Sequence, residues 1–260
     1  MSPTRYKLND KQTRLLVLLY KFRFITAPLL TEYLGLKSNS VIRNLKVLLE
    51  QQYISWKYDL SYKIDRKPAL YFLDKKGIAL LKDMPDIDNA VLHSYYKNKA
   101  LTEETQQHYL DVLATYNALQ ATYDTAYYMF TRSELTSFDD FPEHAPDLYL
   151  RKTDDTQEYF ITLAHDVQPF LTRKRLAEYV EHSEEEGWPS GTYPTLLYVF
   201  KSNAHEEQFL TYAASVLDSA GITTDELQIG ATTIKALTQK PYTGSIWTFI
   251  GDKTPKDLGY

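Results

Sequence analysis

The sequence predicts an α+β protein of two domains, and three observations support this fold class. The chain has 260 residues, 43% of them hydrophobic, which is enough for two ordinary domains with buried cores. Its charge divides along the chain, because residues 1–99 hold 18 Lys and Arg against 9 Asp and Glu, whereas the remainder holds 11 against 25. In the first part of the chain apolar residues recur at helical spacing, and in the second part short apolar runs alternate with helical stretches. We predict domains at residues 1–84 and 95–260, with an acidic, turn-forming linker at 85–94.

The composition excludes several classes of protein. The chain has no cysteine, so disulfides and cysteine-based metal sites are excluded. No run of about 18 apolar residues occurs, so no membrane span and no membrane partner are expected. The N-terminal residues lack the apolar core of a signal peptide, which predicts a cytoplasmic protein. Neither a phosphate-binding Gly-x-x-x-x-Gly-Lys loop nor a Gly-x-Ser-x-Gly nucleophile motif is present.

Two helices are predicted at the start of the first domain. Asn9 is a suitable N-cap for a helix that runs to Phe22. Apolar residues at i, i+3, i+4 and i+7 form its core-facing stripe: Leu15, Leu18, Leu19 and Phe22. Thr26 is positioned to cap a second helix, and Gly35 to end it, because glycine readily adopts the left-handed conformation found after helix ends.

A third helix, from Ser38 to about Gln51, has two distinct faces. The apolar face consists of Val41, Leu45, Leu48 and Leu49, and the opposite face of Asn39, Arg43, Lys46 and Glu50. Arginine can pair with guanine edges and asparagine with adenine. This distribution is typical of a DNA-recognition helix, but any exposed helix with a Lys and an Arg would resemble it. The interpretation therefore depends on the segment that follows.

That segment predicts a β-hairpin with a basic tip. Tyr53–Tyr58 alternates apolar and polar residues, Ala69–Leu73 is a second strand, and Tyr62–Pro68 between them is basic and turn-forming. Three helices followed by such a hairpin form a winged helix, a variant of the helix-turn-helix. An excess of Lys and Arg favours a polyanionic partner. The residues predicted to contact double-stranded DNA are Ser38, Asn39, Ser40, Arg43, Asn44, Lys46, Lys57, Lys63, Arg66 and Lys67.

The second domain is predicted to be an α/β domain with a mixed sheet. A helical segment, Tyr95–Tyr123 with an interruption near Thr102, comes first. Strands are predicted at Tyr127–Thr131, Asp147–Arg151, Tyr159–Ala164, Thr195–Phe200, Leu227–Ile229 and Ser245–Ile250. Helices are predicted at Phe170–Glu186 and at Glu206–Ala220, the latter capped by Asn203 and stopped by Gly221.

Several short motifs occur in a characteristic order along most of the chain. They are Arg23–Thr26, Arg43–Lys46, Tyr71–Gly77, Arg132–Leu135, Ala145–Leu148, Tyr159–Ile161 and Lys174–Tyr179. In this order and spacing they resemble the replication-relaxation proteins of bacterial plasmids and mobile elements. The resemblance implies an N-terminal winged helix that binds DNA and a C-terminal domain similar to the restriction-endonuclease-like fold.

The resemblance also implies where a nuclease centre would lie. That fold uses an Asp early in one strand, then an acidic residue and a Lys on the next, to hold Mg²⁺ and activate water. Asp147 matches the first element, but Ala164 stands where the pattern has Glu, and no Lys follows in register. We therefore expect a degenerate centre, with Asp147 and Asp166 as its remnants, no catalytic residue, and no metal or other cofactor.

These observations predict a double-stranded-DNA-binding protein of a plasmid or mobile element. It would act in replication, mobilisation or transcriptional control, and its second domain would mediate assembly with a second copy or with other replication or mobilisation proteins. The alternative is a metal-dependent DNA endonuclease or nicking enzyme, which would need Mg²⁺. A His-x-His relaxase centre is not expected, because the six histidines are scattered. A third interpretation is a transcriptional repressor only.

Overall fold

The computed structural model describes residues 8–136, 138, 140–154, 157–185 and 188–258. The chain divides into two compact units, Met1–Leu113 and Ala114–Tyr260. The architecture is α+β, as predicted, and the second unit contains a mixed sheet. No helix in the described part of the chain is long and apolar enough to cross a membrane.

The first unit has the element order of a winged helix. Its elements are α1 (Asp10–Phe22), β1 (Ile25–Thr26), α2 (Ala27–Leu34), α3 (Ser38–Glu50), β2 (Ile54–Lys57), α4 (Leu60–Ile64), β3 (Leu70–Leu73), α5 (Lys75–Leu81), α6 (Asn89–Ser94), a 3₁₀ helix (Tyr95–Ala100) and the start of α7 (Glu103–Tyr123). The three strands form an antiparallel sheet in the order β1-β3-β2, with Tyr71 opposite both Ile25 and Trp56. This sheet and the first three helices enclose a core centred on Leu16, Leu19 and Leu45.

The predicted helix ends are confirmed where a local signal encodes them. The Asn9 side chain accepts the backbone N–H of Gln12 at 2.9 Å, and the Gln12 side chain accepts that of Asn9 at 3.0 Å. This capping box satisfies two N–H groups that α1 leaves without helical partners. The Thr26 hydroxyl caps α2, and Gly35 ends that helix with a φ of +60°.

The hairpin between β2 and β3 differs from the predicted plain turn. The short helix α4 lies within it, and Asp59 is its N-cap, accepting the backbone N–H of Tyr62 at 3.2 Å and the Ser61 hydroxyl at 2.5 Å. Because Asp59 meets the first turn's hydrogen-bonding needs, a single helical turn replaces the loop. We call the segment from β2 to β3, residues 54–73, the wing.

The division between the units lies elsewhere than the predicted linker at 85–94. Asn89–Ser94 is helical, and its N-cap Asp88 donates its backbone N–H to the Tyr20 hydroxyl at 3.0 Å. Tyr95 in turn donates its hydroxyl to the Tyr20 carbonyl at 2.6 Å. A smaller apolar cluster joins Phe24 and Phe72 to residues 101–110. The acidic stretch therefore contains a cap rather than a domain boundary, and the first unit extends into α7.

The second unit is built on a six-stranded sheet. Beyond α7 its elements are a 3₁₀ helix (Asp124–Ala126), β4 (Tyr127–Thr131), α8 (Arg132–Leu135), β5 (Leu148–Lys152), β6 (Glu158–Leu163), α9 (Pro169–Glu185), β7 (Thr195–Phe200), α10 (Asn203–Ala220), β8 (Ile229–Thr233), α11 (Ile234–Thr238) and β9 (Thr248–Phe249). The strands follow one another across the sheet in chain order. The β6–β7 and β7–β8 pairs are parallel, and the other pairs are antiparallel. One face of the sheet forms an aromatic-rich core with α9 and α10, including Phe160, Tyr179 and Tyr198.

Most predicted strands of this unit are confirmed within a residue, but the last two differ. β8 is Ile229–Thr233 rather than 227–229, and β9 is Thr248–Phe249 only. The run Gly-Ala-Thr-Thr lacks an apolar pattern, and it becomes a strand because it pairs with β7. A Cβ at Gly230 would lie 2.9 Å from the Phe249 ring, so this close pairing requires glycine. In addition, α10 begins at Asn203 with Ser202 as its N-cap, one residue before the predicted cap.

Candidate nucleic-acid interface

The two faces of α3 agree with the prediction except that Leu49 is only half-buried, and the apolar Ile42 is 44% exposed. Val41, Leu45 and Leu48 are at most 2% exposed. Arg43 and Lys46 are exposed on the other side. Burial of the apolar stripe fixes the rotation of the helix, because turning it outward would expose three large side chains to water. α3 therefore presents a row of long polar side chains to solvent.

The other residues of α3 that were predicted to contact DNA differ in how far their side chains are exposed. Ser38 and Asn39 are exposed in the first turn. Ser40 is half-buried, and its carbonyl accepts the Asn44 side-chain amide at 2.9 Å. Asn44 is therefore turned onto its own helix, whereas Asn39 faces solvent. Lys46 lies 3.8 Å from Glu50, but both side chains are mostly exposed, so this pair holds the lysine only weakly.

The wing carries the other predicted cations. Lys63, Arg66 and Lys67 are all exposed at or just after α4. The Lys63 ammonium lies 5.6 Å from the centre of the Tyr58 ring, and Lys67 pairs with Asp65 at 3.1 Å. Arg66 stands at the tip with a φ of +54°, a conformation that few arginines adopt. The structure thus brings these three cations together at one end of the hairpin.

Lys57 is the predicted contact with the most restricted side chain. Its ammonium donates to the Glu103 carboxylate at 2.7 Å. This hydrogen bond raises the pKa of Lys57 and lowers the pKa of Glu103. A phosphate would have to compete with Glu103 for this lysine, so Lys57 is a weaker candidate than the cations at the tip.

Other basic residues of the first unit are held by internal contacts. The Arg23 guanidinium donates to Asn98 at 2.8 Å, to the Tyr109 hydroxyl at 3.0 Å and to the Ser94 carbonyl at 3.2 Å. Lys76 donates to the Gln51 carbonyl at 2.9 Å and lies 4.1 Å from the centre of a tyrosine ring. Both cations are thus engaged within the unit, although Lys76 is exposed.

Sequence reasoning missed an exposed apolar surface on the wing. Leu60 and Ile64 are each 71% exposed, and Trp56 and Tyr58 are 49% and 40% exposed. The two aromatic rings lie 5.5 Å apart. The alternation of Tyr53–Tyr58 placed Trp56 and Tyr58 on the same face as the buried Ile54, but it did not indicate that these two aromatic side chains would remain exposed. Apolar side chains beside cations are suited to contact sugars and thymine methyl groups.

The two predicted nuclease remnants, Asp147 and Asp166, have different surroundings. Asp147 is buried, with one carboxylate oxygen 3.0 Å from Arg132 Nη2 and the other accepting the backbone N–H of Leu163 at 2.8 Å. Asp166 is exposed and pairs loosely with His165 at 3.5 Å and Lys201 at 3.8 Å. Both oxygens of Asp147 are thus already bonded to donors, and Ala164 offers no ligand. Asp147 and Ala164 therefore do not fit the Mg²⁺ that an endonuclease would require at these two positions.

The similarity of this chain to known proteins is weak. No family model matches the chain, and no curated protein matches it. Among solved structures, the chain is similar to ZitR of Lactococcus lactis, a zinc-responsive MarR family member, with 24% identity and a TM-score of 0.27 over 42% of this chain and 73% of that chain. A ZitR cysteine-to-serine variant in complex with DNA is similar with 25% identity and a TM-score of 0.28, over 42% and 72% of the two chains. TM-scores this low carry no conclusion about this chain.

Proposed function

We propose that the protein binds double-stranded DNA through α3 and the wing of its first unit. The observation that carries this proposal is the geometry of α3, which buries Val41, Leu45 and Leu48 and exposes Asn39, Arg43 and Lys46. In a winged helix the third helix enters the major groove, so its exposed face meets the base edges. Arg43 lies in the middle of that face and can pair with guanine O6 and N7.

The charge distribution supports the same surface. Residues 1–113 hold 18 Lys and Arg against 12 Asp and Glu, whereas residues 114–260 hold 11 against 22. Lysine and arginine near phosphates release counterions, which favours binding by the first unit. The acidic second unit would repel the duplex, so we assign it no DNA contact.

We further propose that this binding serves replication, mobilisation or transcriptional control on a plasmid or mobile element. The support is the order of the motifs that resemble the replication-relaxation proteins. The antiparallel strands β4–β6, followed by α9 and the parallel strand β7, are compatible with a restriction-endonuclease-like second unit. In this proposal the second unit mediates assembly with a second copy or with other replication or mobilisation proteins.

The test is competition binding with the full chain and duplex DNA selected from a random pool. We expect wild-type protein to enrich a defined sequence, and the double variant Arg43→Ala/Lys46→Ala to lose both affinity and enrichment. A matched control removes two exposed lysines away from α3 and the wing, Lys11→Ala/Lys82→Ala. If both double variants bind selected DNA equally well, α3 is not the recognition element. If wild-type protein binds no duplex at low salt, the proposal is wrong.

A further inference from the structure

A pocket of about 100 Å³ lies in the second unit, at the carboxyl ends of β6 and β7. Ala164 and His165 follow β6, Phe200 and Lys201 end and follow β7, and residues of the first two turns of α9 and α10 complete the lining. The pocket therefore collects residues from two strand ends and two helix starts at one edge of the sheet.

The charge of the lining is opposite to that of the unit around it. Arg173, Lys201 and His205 line the pocket, and no Asp or Glu is among its described lining residues. Residues 114–260 contain twice as many acidic as basic residues, 22 against 11, so the lining differs in the sign of its charge from the unit as a whole. Asp166 pairs with Lys201 at 3.8 Å, a distance that leaves the ammonium able to exchange partners.

Two contacts hold side chains of the lining in place. The Arg173 guanidinium on α9 lies 4.6 Å from the centre of the Tyr212 ring on α10. Such stacking orients the planar group while leaving its N–H donors at the edge for an anion. The His205 ring nitrogen Nδ1 lies 2.8 Å from the Ser202 hydroxyl. Arg173 and His205 are thus positioned before any ligand arrives.

The helices that begin at the pocket add to its positive potential. α9 and α10 contain 17 and 18 residues, and both start at the edge of the sheet where β6 and β7 end. The N-terminus of a helix carries a partial positive charge and N–H groups without helical partners. Pro169 has no N–H, and the N–H groups of Leu171 and Thr172 donate to the Gln168 carbonyl, so α9 contributes little beyond its dipole. In the first turn of α10 the Glu206 carboxylate opposes the positive end of the helix. The attraction for an anion therefore comes mainly from Arg173 and Lys201.

We propose that this pocket binds a phosphate group, either as free phosphate or as a small phosphomonoester. Arginine and lysine are the side chains that pair with phosphate oxygens, and helix N-termini donate to the same oxygens. The volume accommodates little more than the phosphate itself. The apolar walls, Val167, Phe200 and Phe209, lie beside the cations and would contact the carbon atoms of an ester.

The test is equilibrium dialysis of the full chain with radiolabelled inorganic phosphate and, separately, with glycerol phosphate. We expect one site with a dissociation constant at or below about 1 mM, and at least about tenfold weaker binding by Arg173→Ala/Lys201→Ala. Tighter binding of glycerol phosphate than of phosphate would identify an ester as the ligand, and equal binding would identify free phosphate. The matched control is Lys174→Ala, which removes an adjacent exposed lysine that pairs with Glu178 at 3.5 Å instead.

A second variant shows whether a loss of binding results from the lost charges or from misfolding. Gln208 is exposed and lines the pocket, so Gln208→Glu adds a negative charge without removing a packed side chain. We expect it to weaken phosphate binding while its thermal melt remains close to wild type. Binding that is unchanged in both Arg173→Ala/Lys201→Ala and Gln208→Glu would overturn the proposal. Absence of saturable binding by wild-type protein would overturn it too, and neither result would affect DNA binding by the first unit.

Discussion

The Asp147 carboxylate accepts the backbone N–H of Leu163 at 2.8 Å and thereby ties the start of β5 to the end of β6. Its second oxygen lies 3.0 Å from Arg132 at the start of α8. The resemblance to the restriction-endonuclease-like fold implies a metal ligand at Asp147, but here the side chain joins three elements of the second unit. A carboxylate that is only 4% exposed and bonded at both oxygens is part of the fold.

We expect Asp147→Ala to lower the free energy of unfolding by about 1–3 kcal/mol, because it leaves the buried N–H of Leu163 without its acceptor. Asp166→Ala should change it by no more than about 0.5 kcal/mol, because Asp166 is exposed and loosely paired. Urea denaturation of the two variants measures the difference. Equal stability of both variants would contradict the structural role of Asp147.

Asp147→Ala and Asp166→Ala also test whether the protein cleaves DNA. We expect purified wild-type protein to leave supercoiled plasmid intact in Mg²⁺ or Mn²⁺. If it nicks the plasmid and Asp166→Ala abolishes nicking without loss of stability, the enzymatic alternative is correct and our assignment of Asp147 and Asp166 is wrong.

Opposite effects are expected from the two faces of α3. Arg43→Ala should reduce specific DNA affinity by about 1–3 kcal/mol and relax the base preference at one position, while the fold remains stable. Lys46→Ala should weaken binding to all sequences alike. Leu45→Ala should instead cost about 2–5 kcal/mol of stability, because the Leu45 side chain is fully buried. Thermal melts and competition binding separate these outcomes. Retained stability but altered base preference in Leu45→Ala would mean that the helix faces the other way.

The wing should determine the salt dependence of DNA binding. Each cation that no longer neutralises a phosphate of duplex DNA reduces the slope of log affinity against log salt by about 0.9. We therefore expect Lys63→Ala/Arg66→Ala/Lys67→Ala to bind with a clearly shallower slope. The charge-matched control Lys11→Ala/Lys82→Ala/Lys97→Ala, all exposed outside α3 and the wing, should keep the wild-type slope. Identical slopes for the two triple variants would remove the wing from the interface.

Arg23 should be important for the stability of the first unit and not for DNA binding. Its guanidinium makes three hydrogen bonds and lies 4.8 Å and 5.2 Å from the ring centres of Tyr95 and Tyr109. Arg23→Ala should cost about 1.5–3 kcal/mol, the contribution of a hydrogen bond to a charged group. The exposed Arg14→Ala is the control. A loss of DNA affinity in Arg23→Ala at temperatures where it is fully folded would show that Arg23 contacts the nucleic acid.

The Glu206 carboxyl should contribute less to the stability of the second unit at neutral pH than in acid. Burial raises the pKa of this carboxyl, a hydrogen bond with Thr248 opposes the rise, and repulsion from Glu207 adds to it. The folded state therefore keeps this proton to a higher pH than the unfolded chain, and stability is lost as the pH rises through the folded pKa. Glu206→Gln should raise the urea midpoint at about pH 7, with no gain at about pH 3, below the ordinary pKa of glutamate.

The control for this prediction is the exposed Glu181→Gln, which should behave like wild-type protein at both pH values. If Glu206→Gln is less stable than wild type at neutral pH, the hydrogen bond with Thr248 outweighs the cost of burying the charge.

The elements whose signals are local follow from the amino-acid sequence alone. The Asn9–Gln12 capping box, the glycine after α2 and the two faces of α3 depend on residues three or four positions apart, which meet whenever a helix forms. β7 is similarly determined by an unbroken apolar run, because such a run is stable only when both of its faces are buried. Because the helical repeat assigns each residue of α3 to one face, its exposed polar residues could also be predicted one by one.

Which charged groups are available to a partner depends instead on contacts between distant segments of the chain. Lys57 meets Glu103 and Arg23 meets Asn98 across 46 and 75 residues of chain, so no local pattern indicates that these cations are held internally. The role of Asp147 depends in the same way on the register of β5 against β6, and the phosphate pocket on two parallel strands ending at one edge. Propensity acts between near neighbours, whereas these contacts form only once packing has brought distant segments together.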